Sequence, residues 1–169
     1  CNDAQAFDAK GIWGALGAWQ DDKGVQWVLA PFWGPVSAQF KAPVEHARPT
    51  GGGVAAFTLE ERAGKWQLTP AWLSRDMDLA EEAVIANGVV FAYAAGEDAS
   101  QVVPDRAWNE PGGAVYGGGL SSGPDRRVPN SRRAALYALD GQTGKELWSS
   151  GNQIESWNHF SGLTVANGR

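Results

Sequence analysis

Several side chains in this sequence are of the types that do acid–base, anion-binding or cation-binding chemistry. They fall in four short groups: Glu45 and His46; Arg75, Asp76 and Asp78; Trp108, Asn109 and Glu110; and Trp157, Asn158 and His159. Asp76 and Asp78 are the candidate catalytic carboxylates, able to serve as a base or as hard oxygen ligands. Arg75 offers a fork for a carboxylate. Trp108 and Trp157 offer flat aromatic surfaces, with Asn158 and His159 as polar neighbours. Each also has a plainer reading. His46, between Glu45 and Arg48, reads as a solvated loop residue. His159, beside Trp157 and Phe160, reads as a packed loop histidine. Asp76 and Asp78 flank Met77 and read as acceptors for loop amides. Arg75-Asp76 reads as a local ion pair, and the Arg126-Arg127 and Arg132-Arg133 pairs as solvated loop.

Other chemistries fail on composition or spacing. One Cys excludes an intrachain disulfide and a Cys-based zinc site. The two His stand more than a hundred residues apart, which is no metal-ligand spacing, so no metal site is expected. There is no Gly-x-Ser-x-Gly elbow. The glycines at 112–113 and 117–119 do not lead from a strand into a helix, as a phosphate-binding loop must. A net charge of −5 gives no basic footprint for nucleic acid. No apolar run reaches the ~18 residues that cross a bilayer, so no membrane span is expected.

The elements that must position these groups are strands. The chain has 22 Gly, 9 Pro and 9 Trp in 169 residues and no amphipathic helix, which predicts an all-β protein with many turns. Strands are expected over 11–19, 25–32, 54–59 and 65–72, with turns at Asp21–Gly24 and Glu60–Gly64. A second round is expected over 83–86, 89–94, 135–139 and 145–149, with turns at Asn87-Gly88 and Asp140–Gly144. Residues 34–53 and 96–133, rich in Pro and Gly, read as long loops. In an antiparallel meander the short turns share one face. The long loops and crossings, with all the candidate groups named above, share the other, where binding usually sits. Leu59, Gly64 and Lys65 recur eighty residues on as Leu139, Gly144 and Lys145, Ala86-Asn87-Gly88 as Ala166-Asn167-Gly168, and Phe57 as Tyr137, so the rounds read as repeats. Six of the tryptophans, Trp13, Trp19, Trp27, Trp33, Trp66 and Trp72, read as core and sheet-packing residues.

Residues 135–148, Ala-Leu-Tyr-Ala-Leu-Asp-Gly-Gln-Thr-Gly-Lys-Glu-Leu-Trp, resemble the tryptophan docking motif of the pyrroloquinoline-quinone (PQQ)-like repeat propellers. Ala138, Asp140, Gly144 and Trp148 stand at its Ala-x-Asp-x-x-x-Gly-x-x-x-Trp positions. Val84–Phe91 and Leu163–Arg169 resemble the first hairpin of the same repeat. The first round departs, with Glu60 in place of Asp140 and Leu68 in place of Trp148. The likeness covers 54–169 well and the first 50 residues loosely. It implies a β-propeller fragment of four-stranded antiparallel blades, about two blades plus the start of a third. The expected segments are 1–10, partial; 11–80, a blade with a long loop; 81–153, a blade with the 96–133 insertion; and 154–169, the start of the next blade.

For function, the resemblance implies a scaffold or binding propeller whose partners are the remaining blades and a protein or small molecule on the long-loop face. It also implies a second outcome, a PQQ- and Ca²⁺-dependent alcohol or sugar dehydrogenase. Trp157 or Trp108 would then be the aromatic floor, Arg75, Asn158 and His159 polar contacts, and Asp76 or Asp78 the base. The adjacent Cys pair of many quinone dehydrogenases is absent from this stretch. The family usually works outside the cytoplasm, which implies a periplasmic or secreted protein. The chain begins at Cys1 and closes on an Asn-Gly turn without a returning strand, so a fragment is expected; a lipidated Cys1 is the rival reading.

Overall fold

Pro31 and three tight turns decide where the strands of this chain begin and end. The computed structural model describes residues 11–12, 14–97, 128–158 and 162–166. Among these, nine strands form: β1 (Gly17–Gln20), β2 (Gln26–Trp33), β3 (Val44–Glu45), β4 (Gly52–Arg62), β5 (Lys65–Leu73), β6 (Val84–Ala86), β7 (Val89–Ala94), β8 (Ala135–Asp140) and β9 (Glu146–Ser149). At β1–β2, Asp21 Oδ1 accepts hydrogen bonds from the Lys23 and Val25 amides at 2.9 Å. Ala63-Gly64 and Asn87-Gly88 hold both residues at positive φ, which lets a two-residue loop follow the strand twist. Strand β1 begins at Gly17 rather than at the expected Gly11. Trp33 donates its amide to the Gly11 carbonyl. Pro31 lies on the same side of β2, has no N–H to offer, and interrupts the ladder between these two points.

The fold is all-β. The first sheet has the order β1-β2-β4-β5-β3, antiparallel except that β3 runs parallel to β5, and the second has the order β6-β7-β8-β9, antiparallel throughout. The 34–53 stretch is therefore not only loop, because Val44 and Glu45 pair with Trp72 and Leu73. A single helical turn spans 128–130, and residues 162–166, expected as strand, form none.

The sheets stack face to face. Trp27, Leu29, Val54, Ala56 and Trp72 of the first meet Val90, Ala92, Ala94 and Leu139 of the second, with Met77 and Ala80 of the β5–β6 crossing between them. Large indoles on one side against alanines on the other fill the space without strain. The opposite, outer face of the first sheet has a smaller core of Phe32, Ala55 and Leu73.

The two sheets share a register. Leu29 pairs with Ala56, Ala56 with Trp72, and a bulge follows Ala56. Phe91 pairs with Ala138, Ala138 with Trp148, and a bulge follows Ala138. Trp72, not Leu68, is thus the counterpart of Trp148. The eighty-residue recurrence matched Leu68 because the first hairpin is longer: Ala56 and Trp72 are sixteen residues apart, Ala138 and Trp148 ten. The extra six residues put Trp66 and Leu68 on a projecting hairpin, 65% and 48% exposed, so Trp66 is not a core residue.

Candidate functional site

At the long-loop end, the candidate carboxylates are held by their own loop. Asp76 accepts hydrogen bonds from the Thr50 hydroxyl at 2.8 Å and the Gly51 amide at 2.9 Å. Burial pushes its carboxyl up, but the donors of Gly51, Thr50 and Gly52 outweigh burial and hold it below the usual carboxylate range. Asp78 is paired with Arg132 at 3.1 Å, and its carbonyl accepts the Gly96 amide. Gly51 sits against both residues; a Cβ there would lie 2.7 Å from Asp78 Oδ1. Asp76 thus fastens the segment before β4 to the segment after β5, as a loop acceptor does, whereas Asp78 ties the latter to Arg132 and Gly96.

Arg75 does not pair with the Asp76 carboxylate. Its Nη1 reaches Glu146 Oε2 of the second sheet at 2.6 Å, its Nε donates to the Asp76 carbonyl, and its guanidinium lies 4.5 Å from the centre of the Tyr137 ring. Burial raises the Tyr137 hydroxyl above its usual range, against the opposing pull of Arg75. Asn158 donates its amide to Ala95 and its side chain to the Tyr93 hydroxyl at 3.1 Å. Trp157 is half-buried. Trp108 and His159 lie outside the described residues.

The structure therefore brings Asp78 and Asn158 to the same end of β7 and turns Arg75 toward the other sheet. A quinone and its Ca²⁺ do not fit this set as it stands. The Arg75 fork is spent on Glu146, and the Asp76 oxygens already take donors from Thr50 and Gly51. Among the described residues, no three His, Cys, Asp or Glu side chains gather into a metal-binding group.

Among the described residues, a densely connected place lies elsewhere, at the Asp140–Gly144 turn. Asp140 Oδ1 accepts from the Gln142 amide and from the Thr143 amide and hydroxyl, at 2.8–3.1 Å, and Gly144 takes a φ of 71°. Its Asp, Thr and Gly act as their types predict. The closed turn then receives the first sheet. The buried Trp72 Nε1 donates to the Gly141 carbonyl at 2.9 Å, and a Cβ on Gly144 would run into the Trp72 ring. His46 Nε2 donates to the Thr143 carbonyl at 2.8 Å, and Gln142 reaches Asp21 Oδ2 at 3.4 Å. That same Asp21 oxygen holds the Trp27 indole N–H at 3.0 Å, and Trp27 stacks on Trp19 with centroids 5.2 Å apart.

His46 is thus a clasp on the turn rather than a member of a long-loop cluster, because β3 carries it along the edge of β5. Sequence reasoning missed Trp72, Gly141 and His46 as parts of one contact. The Trp at the end of β5 was a usable signal; the pairing of His46 with Thr143 left none.

No family model, curated protein or solved structure matches the chain. Trp148, in the register of Trp72, stands on the outer face of the second sheet and is 48% exposed. On the same face of the second sheet, a cavity of about 350 Å³ is lined by Asn87, Val89, Phe91, Leu136, Leu163 and Val165. Val89, Phe91 and Leu136 hold the strand positions of Trp27, Leu29 and Val54 in the first sheet, which the second sheet covers, whereas Leu163 and Val165 come from the chain after β9.

Proposed function

We propose that the chain is part of a PQQ-like repeat propeller acting as a binding scaffold, its two sheets being consecutive blades, the first with the short edge strand β3 added to its four long strands. The observation that carries this reading is the Trp72 indole seated on Gly141 and Gly144 of the next sheet. That contact turns two sheets into stacked units, and Trp148 repeats the donor half of it. The remaining blades of the same propeller are the first partners of this reading. A protein or small-molecule ligand on the long-loop face is the second, and a periplasmic or secreted location goes with it. The engaged states of Arg75 and Asp76 favour the scaffold over a quinone-dependent dehydrogenase.

The test is a calorimetric titration of the full chain with PQQ and Ca²⁺, paired with a dye-linked alcohol oxidation assay. The expected result is no saturable heat and no turnover. Micromolar binding with turnover would overturn the scaffold reading and send mutagenesis to Asp76, Asp78 and Arg75.

A further inference from the structure

The first sheet presents a stacked pair of indoles to the second, and the second sheet has no such pair on its own outer face. Trp19 of β1 pairs with Trp27 of β2, and their rings stack with centroids 5.2 Å apart. Through the shared register Leu29 corresponds to Phe91, so Trp27 corresponds to Val89 and Trp19 to Ala86, which are likewise a cross-strand pair. A methyl and an isopropyl group thus stand where the first sheet has two indoles. The space they leave is the cavity of about 350 Å³. The rest of its lining follows the repeat. Ala83 and Ile85 pack on the core of the first sheet, and Leu163 and Val165, eighty residues on, line the cavity of the second.

The lining decides what can fill this space. Phe91, Leu136, Leu163 and Val165 are half-buried and apolar, and among the described residues no charged side chain takes part. An ion would lose its hydration here without gaining a partner. Two polar side chains remain, the Asn87 amide and the Thr164 hydroxyl, and both residues are exposed, so the space is reachable from solvent. Asn87 lies in the β6–β7 turn. In the corresponding β1–β2 turn, Asp21 accepts the Trp27 indole N–H at 3.0 Å. An apolar cavity of about 150 Å³ already takes a benzene ring, so this one has room for two fused rings.

We infer that this cavity binds an uncharged, planar aromatic molecule of one or two fused rings, with the Asn87 side chain accepting its N–H or O–H. The ligand takes the place that the Trp19–Trp27 pair fills in the first sheet, and is held against Phe91 and Leu136 by apolar burial and ring contact. This site is separate from the long-loop face, because Asn87-Gly88 belongs to the short turns at the other end of the strands. The inference rests on the shared register of the two sheets and goes beyond the scaffold reading. It holds whether or not the sheets close into a ring, since in a ring the cavity lies between the second unit and the next.

The test is an NMR titration of the methyl-labelled full chain with indole, an uncharged probe of this size. Resonance shifts are expected at the Val89, Leu136, Leu163 and Val165 methyl groups, saturating with a dissociation constant below about 1 mM. Indole-3-acetate, the same ring with a carboxylate, is expected to bind about tenfold more weakly or worse. Val89→Trp, which restores the indole of the first sheet, should abolish saturation. Asn87→Gly, which keeps the positive φ of the turn and removes the amide, should weaken indole severalfold. No saturable shift at those methyl groups in the wild type would overturn the proposal, because the space would then be closed by collapse or by side chains of a following unit. Undiminished binding to folded Val89→Trp, or equal binding of indole-3-acetate, would overturn it as well. The wild-type methyl shifts decide the matter should Val89→Trp fail to fold. None of these outcomes bears on the quinone titration, so the cavity and the scaffold reading fail separately.

Discussion

Trp72 and Trp66 are the same residue type, six positions apart on one strand, with opposite fates. Trp72 is fully buried and gives its N–H to Gly141, whereas Trp66 projects on the long hairpin. Trp72→Ala is expected to cost about 3–5 kcal/mol, and Trp66→Ala to stay within about 0.5 kcal/mol, in chemical denaturation. Asp76 works at the same scale. Its folded carboxyl sits below the unfolded value, so the folded state binds fewer protons. The stability it contributes is present above the usual carboxylate range and drains as pH falls through the folded pKa. Asp76→Ala, which strips the acceptor from Thr50 and Gly51, should cost about 1–3 kcal/mol near neutrality and flatten the acid limb of the stability curve. An unchanged acid limb would show that other carboxylates govern it.

Among the elements, the hairpins carry the repeat, and their turns differ in quality. Asn87-Gly88 suits its two positive φ angles, but Ala63 holds a φ of 51° with a side chain that prefers the other hand. Ala63→Asn should therefore stabilise the β4–β5 hairpin, by up to about 1 kcal/mol, read as a raised denaturation midpoint. Gly144→Val should act strongly in the other direction. It strains a φ of 71° and drives a side chain into the Trp72 ring, so the turn and the sheet-to-sheet contact fail together. The strand positions were legible in the sequence because Asp21–Gly24, Asn87-Gly88 and Asp140–Gly144 state their turn geometry through residue type. Glu60–Gly64 was legible as a turn but not in length, because polar Glu60 and Glu61 continue β4 as easily as they end it. That ambiguity shifted the Trp from position 72 to 68 in the repeat alignment.

For the whole molecule, one core joins both sheets. Met77 and Ala80 pack with Trp72, Val90 and Leu139, so the sheets should unfold in a single transition. Two separable transitions in calorimetry would argue against that shared core. Tyr137 contributes on the alkaline side. Its hydroxyl is raised in the fold, so the stability it contributes holds below the unfolded tyrosine pKa and is lost as pH rises through the folded value. Tyr137→Phe should weaken that alkaline loss.

The sequence by itself determined the all-β class, the turn chemistry and the Asp140–Gly144 motif, since these depend on backbone preference and on neighbours two to four residues away. Only the tertiary structure decided that Arg75 meets Glu146, that His46 clasps Thr143, and that Val36 and Phe40 pack on the outer face of the first sheet. Each of those contacts joins groups distant along the chain, and strand register and the stacking of two sheets, rather than any local spacing, bring them within reach.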